Sequence, residues 1–419
     1  MPTASEAVTF RRLTQAEVDE SCRRHDRLAK LRPGGARAIF SFADLSGLVL
    51  RDRQLMGANF SGAILRDADF SGSDLDNAGF FGADLKAARL VRASLKRADL
   101  RGAVLRDADL TGADLFMADL RAGQVAAADA TAGFKTLSHA RGAADATGAN
   151  LTGANLQSTF MTGVVACNAD FTGAVMKDCK LVRAVLKNAN LTGADLAGAD
   201  LSGANLSGAT LHNAVLVGAR TYGWITDGAD MAGVLTDAPN GVSTRDLPAG
   251  AMLAAHARWC ETGGAEGAPS RFDGADLREL KTVRGYNLTA LSARGATFYG
   301  LDMAGVQLQG AHLEGADLRG CDLEGADLRG VRLTGARLTG ANLKNARLGP
   351  LMLGGGRVLS ASLRGALARR VDFSGADLSR CDMAEADLER SNFTGARAEA
   401  VNLTDARLDA VTGLRLFQV

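Results

Sequence analysis

A short signature, Ala, then Asp or Asn, then Leu or Phe, recurs every five residues along most of the chain. It is plain in Ala58-Asn59-Phe60, Ala68-Asp69-Phe70, Ala83-Asp84-Leu85 and Ala113-Asp114-Leu115. Taking the Leu or Phe as the centre of each repeat, centres fall on multiples of five from Leu45 to Leu120. They shift by one residue from Leu151 to Met231 and shift again from Leu288 to Leu408. A period of five fits neither the about 3.6-residue turn of a helix nor the alternation of a strand, so the chain must turn once per repeat. If each repeat makes one side of a square, four repeats close a coil. The central Leu or Phe and the Ala two places before it then point inward. This explains a composition of 50 glycines, 47% apolar residues and only 5% aromatics: thin layers of small side chains, with glycine two places after the centre at a turn. Backbone hydrogen bonds run between coils about 4.8 Å apart.

Repeats such as Ala194-Asp195-Leu196-Ala197-Gly198 and Ala316-Asp317-Leu318-Arg319-Gly320 resemble those of the pentapeptide-repeat family. The resemblance covers about three quarters of the chain. It implies an all-β solenoid, a right-handed quadrilateral parallel β-helix. A leucine-rich repeat would need a period above about 20 residues, and a coiled coil would need heptads.

The frame is lost between about 125 and 143, where Phe134 and His139 lie, and a surface loop re-entering one residue out of phase is expected there. A larger break, 236–271, holds Pro239, Pro248 and Pro269 and reads as a short helix at about 247–262. A similar helix is expected at about 14–31, opened by the capping box Thr14-Gln15-Ala16-Glu17, with Val18, Cys22 and His25 on one stripe. His25 precedes Ala43-Asp44-Leu45 by nearly the distance at which His256 precedes Ala275-Asp276-Leu277. Two modules follow: a lead-in at 1–40, a solenoid at 41–235, the inter-module segment at 236–271, a second solenoid at 272–412 and an apolar terminus at 413–419. Each helix covers an otherwise open coil end, where unpaired backbone groups would invite stacking. Its histidine, with Trp259 beside the second one, is read as packing on that end. The terminus either caps the last coil or pairs with a second copy, a C-terminal dimerisation that resembles some family members.

Chemistry is sparse. The histidines, His25, His139, His212, His256 and His312, lie in different segments, and the carboxylates form ladders rather than opposed pairs. The six cysteines are scattered without a paired motif, and Cys179, Cys321 and Cys381 take the inward Ala position as small fillers. No catalytic residue, cofactor or metal is therefore expected, and the glycine-rich runs lack the setting of a nucleotide-binding loop. Forty-eight basic against forty-seven acidic residues give a net charge of +1, so bulk charge favours neither nucleic-acid binding nor its mimicry. With no long apolar span and no leader pattern at Met1-Pro2-Thr3-Ala4-Ser5-Glu6, the chain reads as cytoplasmic.

The outer surface remains. Outward Met56, Phe81, Phe116 and Met117 break the polar rule, and Arg66, Lys86 and Arg106 stack at one-coil spacing. Placing every fourth repeat on one side collects Arg319, Arg337, Arg357, Arg380 and Arg397 on one face of the third tract. Another face then collects Asp302, Asp322, Glu324, Asp382, Glu385 and Asp405. Candidate partner contacts are thus Met56, Phe81, Phe116, Met117, Phe134, His139, Trp259, Arg319, Arg337 and Arg357. The leading expectation is a non-enzymatic scaffold binding a protein partner. The family resemblance also implies a duplex-DNA mimic acting on a type II topoisomerase, although those solenoids are strongly acidic. A third reading places an enzyme or enzyme-activating site in the non-repeat segments.

Overall fold

The structure, a computed structural model, describes residues 10–129, 133–244 and 246–415, with the backbone alone described over 124–141. Its contacts divide it into two compact units, Met1–Ala238 and Pro239–Val419. Each is a right-handed, four-sided parallel β-helix. In the first unit Asp44 pairs with Ile64, Ile64 with Asp84 and Asp84 with Val104, always twenty residues on. Four five-residue repeats therefore make one coil.

The motif follows from what each backbone donor needs. In the repeat Ala58–Gly62, Ala58 N–H closes the turn on Leu55 C=O (2.9 Å), and Asn59 N–H donates down to Ala38 C=O (3.0 Å). Phe60 and Gly62 donate up to Gly79 C=O (2.7 Å) and Phe81 C=O (2.8 Å). The fifth donor, Ser61 N–H, has no backbone acceptor and donates to the Asn59 side chain at 3.0 Å. The same bond recurs from Thr172 to Asp170 (2.8 Å) and from Ser202 to Asp200 (3.1 Å). Asp or Asn before the centre thus satisfies a peptide group that the coil itself cannot.

Inside, Leu45, Leu50, Leu55 and Phe60 are wholly buried, and the alanines two places before the centres fill the corners. Phe40, Phe60 and Phe80, one coil apart, stack at 5.2 and 4.8 Å between ring centroids. Where a polar residue takes the inward corner it bonds within the wall: Ser391 Oγ–H donates to Ala368 C=O at 2.7 Å.

Both units open in the same way. In the first, β1 (Arg11–Arg12) precedes α1 (Gln15–Ala29) and pairs in parallel with β2 (Ala43–Asp44). In the second, β5 (Val242–Ser243) precedes α2 (Ala249–Glu261) and pairs in parallel with β6 (Ala275–Asp276). The capping box at Thr14 and Glu17 is formed, and Val18, Cys22 and His25 are the buried face of α1. The Gln15 side-chain amide acts as one more strand residue, donating to Val49 C=O (2.8 Å) and accepting from Val49 N–H (2.9 Å).

Two insertions interrupt the coils. The expected loop is a hairpin: β3 (Gly123–Asp129) pairs antiparallel with β4 (Gly133–Gly142). Across it Val104 pairs with Asp145, forty-one residues on, so twenty-one residues are added. That is one more than a multiple of five, which accounts for the phase shift. The second insertion is a correction to the sequence reading, which treats the third tract as continuous. Arg332 pairs with Ser362, thirty residues on. The ten extra residues form β7 (Leu351–Met352) and β8 (Val358–Leu359), paired antiparallel around Gly354–Gly356. Ten residues are two whole repeats, so the insertion leaves the frame untouched and the pattern conceals it.

One glycine pair tests this geometry. Gly102 has φ 65° and a Cβ there would overlap the backbone carbonyl of Gly123, whereas Gly193 has φ 64° and open space around it. Gly193→Ala should cost about 1 kcal/mol for the left-handed backbone alone. Gly102→Ala should cost about 2–3 kcal/mol because a steric clash with backbone is added. Denaturant melts of the two variants would check the order.

Candidate functional site

The outward-facing charges are largely paired on the coil wall. Many an Asp before a centre lies within reach of an Arg or Lys, either in its own repeat or one coil away. Arg101 holds Asp99 at 2.8 Å, Arg66 holds Asp84 at 2.6 Å and Arg106 holds Asp145 at 2.6 Å. The Arg66, Lys86, Arg106 stack therefore has acids woven through it.

At the root of the β3–β4 hairpin these pairs join two aromatic rings. The Arg101 guanidinium lies 4.9 Å from the Phe81 ring centroid and the Arg121 guanidinium 5.1 Å from that of Phe160. Asp99 and Asp119 bind the two arginines at 2.8 and 2.7 Å, and Asp119 also faces Arg101 at 3.9 Å. Burial opposes the charge on Asp119, but the hydrogen bonds from Arg121 and the two positive charges outweigh it and hold its carboxyl below the usual range. Gly123 passes so close to Phe81 and Arg101 that any side chain there would overlap them. Phe81 is thus half-buried beneath the hairpin root, not the outward contact the pattern implies.

The other sequence candidates are dispersed. Met56 is exposed, and its carbonyl accepts the bond from His25. Met117 is exposed and Phe116 half-buried on the coil just before the hairpin. Phe134 and His139 lie on β4, where side chains are outside the described residues. Trp259 is half-buried on α2, its ring 5.6 Å from that of His256.

The arginine face of the third tract is not one face. Arg319 is only 6% exposed, gripping Asp317 through Nε (2.9 Å) and Nη2 (2.6 Å), and Arg337 turns to the same carboxylate at 3.7 Å. Arg357 belongs to the ten-residue insertion. Beyond it the sides are renumbered by two: Asp322 continues through Asn342 to Asp372, while Asp382 lies in the column of Ser362 and Arg332. The acidic side drawn from the sequence therefore combines two columns, and the missed ten residues are the reason.

The helix histidines occupy equivalent places. Ala38 N–H donates to His25 Nδ1 (3.0 Å), so Nε2 carries the proton and donates to Met56 C=O (3.1 Å). Ser270 N–H donates to His256 Nδ1 (2.8 Å), and Nε2 donates to Thr289 C=O (3.1 Å). Each ring joins its helix to the first coil as a neutral imidazole, and burial lowers both pKa values despite the carbonyl bonds. Burial also raises the thiols, Cys22 to about 11 and Cys179 to about 12. No cluster of potential metal ligands exists among the described residues, and none of their helices is long and apolar enough to cross a membrane.

The histidine arrangement has a pH consequence. Because the folded pKa values lie below the ordinary 6.5, the caps are fully stabilising above that value and lose stability as pH falls below it. Stability should therefore decline as pH falls below about 6.5, ahead of carboxylate titration. Chemical denaturation of a His25→Gln, His256→Gln variant should show a flatter profile in that window.

A model of the pentapeptide repeats family matches eight times, over residues 54–90, 78–116, 149–188, 184–220, 285–320, 311–349, 360–395 and 372–409. The matches stop short of the β3–β4 hairpin and omit residues 350–359. No curated protein matches the chain. Among solved structures it is similar to HetL, a pentapeptide repeat protein involved in heterocyst differentiation regulation in the cyanobacterium Nostoc sp. strain PCC 7120. The identity is 21% over 93% of this chain and 96% of that one, with a TM-score of 0.19. A pentapeptide repeat protein of the Arabidopsis thaliana thylakoid lumen is 32% identical over 22% of this chain and 63% of that one, TM-score 0.21. Full-length QnrB1, a plasmid-mediated fluoroquinolone resistance protein, is 22% identical over 48% and 92%, TM-score 0.21. With the family model matching most of both coiled tracts and the coils built on that five-residue unit, this chain belongs to the pentapeptide-repeat family.

Proposed function

We propose that this protein is a non-enzymatic scaffold that presents its coil faces and the β3–β4 hairpin to a protein partner. The observation that carries the reading is that the hairpin is superfluous to the coil. Joining Arg121 directly to Ala143 would leave Leu120-Arg121-Ala143-Ala144-Asp145-Ala146, an unbroken repeat. An element that the fold does not require, rooted in paired charges on a rigid wall, is suited to recognition because little is ordered on binding.

The groups a catalytic reading would use are already engaged. Both nitrogens of His25 and His256 are bonded to backbone, and the buried thiols are held protonated by burial. Duplex mimicry of a topoisomerase substrate needs unneutralised acid ladders, whereas Asp84, Asp119 and Asp145 each hold an arginine. Direct nucleic-acid binding is not proposed, given a net charge of +1. All six cysteines are free, which accords with the reducing cytoplasm we propose as its location. The two-module organisation is proposed on the same basis as the paired caps.

For the C-terminal end we propose pairing with a second copy. Val401, Leu403, Leu408, Val411 and Leu414 are only partly buried on the last coil, and residues 416–419 lie outside the described residues. Sedimentation should show a dimer that Leu403→Glu, Leu408→Glu converts to a monomer, and a wild-type monomer at all concentrations would refute it. For the hairpin, the full chain and a variant lacking 122–142 serve as baits in affinity purification with mass spectrometry. The variant should melt as cooperatively as the parent and lose the specifically captured protein. Equal capture by both would refute the hairpin's part and leave the coil faces as the contact, and nothing above background would overturn the scaffold reading.

A further inference from the structure

The ten-residue insertion of the second unit is also superfluous to its coil. Joining Gly349 to Ser360 would give Ala346-Arg347-Leu348-Gly349-Ser360-Ala361-Ser362-Leu363, two repeats in perfect frame. The column pairing Arg332 with Ser362 is already closed beneath it. The insertion gives the coil nothing, yet it brings an apolar surface to solvent. Leu351 and Leu359 fold down over Gly310 and Gly330. Met352, Leu353 and Val358 are left 67%, 40% and 42% exposed. Three apolar side chains crowded on one small hairpin are unfavourable in water unless something covers them.

The surroundings of that hairpin are basic. Arg329 and Arg332 flank Gly330 in the chain, Arg347 leads into the insertion and Arg357 lies within it. Asp327 is shared by two of them, Arg329 at 2.7 Å and Arg347 at 3.3 Å. Arg332 and Arg357 are exposed and hold no carboxylate among the described residues; Arg357 only reaches Gly354 C=O at 3.4 Å. Asp377 also lies at the root of the insertion, its carboxylate beside Gly349, so two acids face four arginines, in a chain whose acids and bases otherwise balance at 47 and 48.

We propose that the β7–β8 hairpin, with Arg332 and Arg357, is a docking site for an acidic peptide segment that also carries apolar side chains. Met352, Leu353 and Val358 take the apolar groups, and the two unmatched guanidinium groups take carboxylates. An extended segment suits the site because its alternate side chains face one way. This site is separate from the β3–β4 hairpin, and its test does not depend on that reading.

Fluorescence anisotropy with a labelled peptide alternating Glu and Leu, against versions with Gln or Lys in place of Glu, measures the proposal directly on the full-length protein. The Glu peptide should bind, the Gln version about tenfold more weakly and the Lys version not measurably. Removing 350–359 should abolish binding with melting preserved. Arg332→Glu, Arg357→Glu should abolish it as well, and Met352→Ser, Val358→Ser should weaken it about tenfold. Removing 122–142 should leave it unchanged. No binding of the Glu peptide, equal binding of the Lys version, or full binding by the chain lacking 350–359 would overturn the proposal.

Discussion

The bond from the N–H after a centre to the Asp or Asn before it, made wherever the repeat supplies that residue, is the interaction on which this molecule rests. A square coil turns so sharply that one donor in five faces neither the coil above nor the coil below. Ser61 N–H on Asn59 and Thr172 N–H on Asp170 show how the side chain supplies the acceptor. Burying or stranding such a group costs on the order of 1–3 kcal/mol, and the repeat recurs dozens of times. The acidic residues of the motif are thus first of all turn residues. Their second oxygens then draw in arginines, so that the wall carries many charges and little net field.

Coils built this way have two open ends, and both units meet the problem at their start with the same device. A short strand pairs with the first coil, a helix lies across it, and one neutral histidine bridges a backbone N–H and a backbone carbonyl. In the first unit Gln15 adds a side-chain imitation of a strand. These contacts satisfy edge groups that would otherwise pair with other chains. They also explain why histidines on helices in a chain without evident chemistry are so deeply placed.

A filled, hydrogen-bonded coil has little freedom to evolve a cavity, since Leu and Phe occupy its whole width. New function is easiest to add at a corner, where residues can leave and return without disturbing the ladder. The two insertions take that route. One returns a residue out of phase and the other in phase, and in each case the coil pairs across the gap as though nothing intervened.

The five-residue period determined the coil and its inward Leu and Ala, and the capping box and helical spacing outside the repeats determined the first capping helix with its buried stripe Val18, Cys22 and His25, because these follow from local pattern and from the need to bury one face. The phase shift near Phe134 betrayed the first insertion for the same reason. Only the tertiary structure decided which column each residue joins, because that depends on how many residues separate coils and not on the frame. Ten added residues preserve a period of five, so Arg357 and Asp382 were legible as repeat members and illegible as neighbours. Pairing was likewise a matter of three dimensions: Phe81 under Arg101, and Arg319 locked on Asp317, look outward in the pattern and are engaged in the fold.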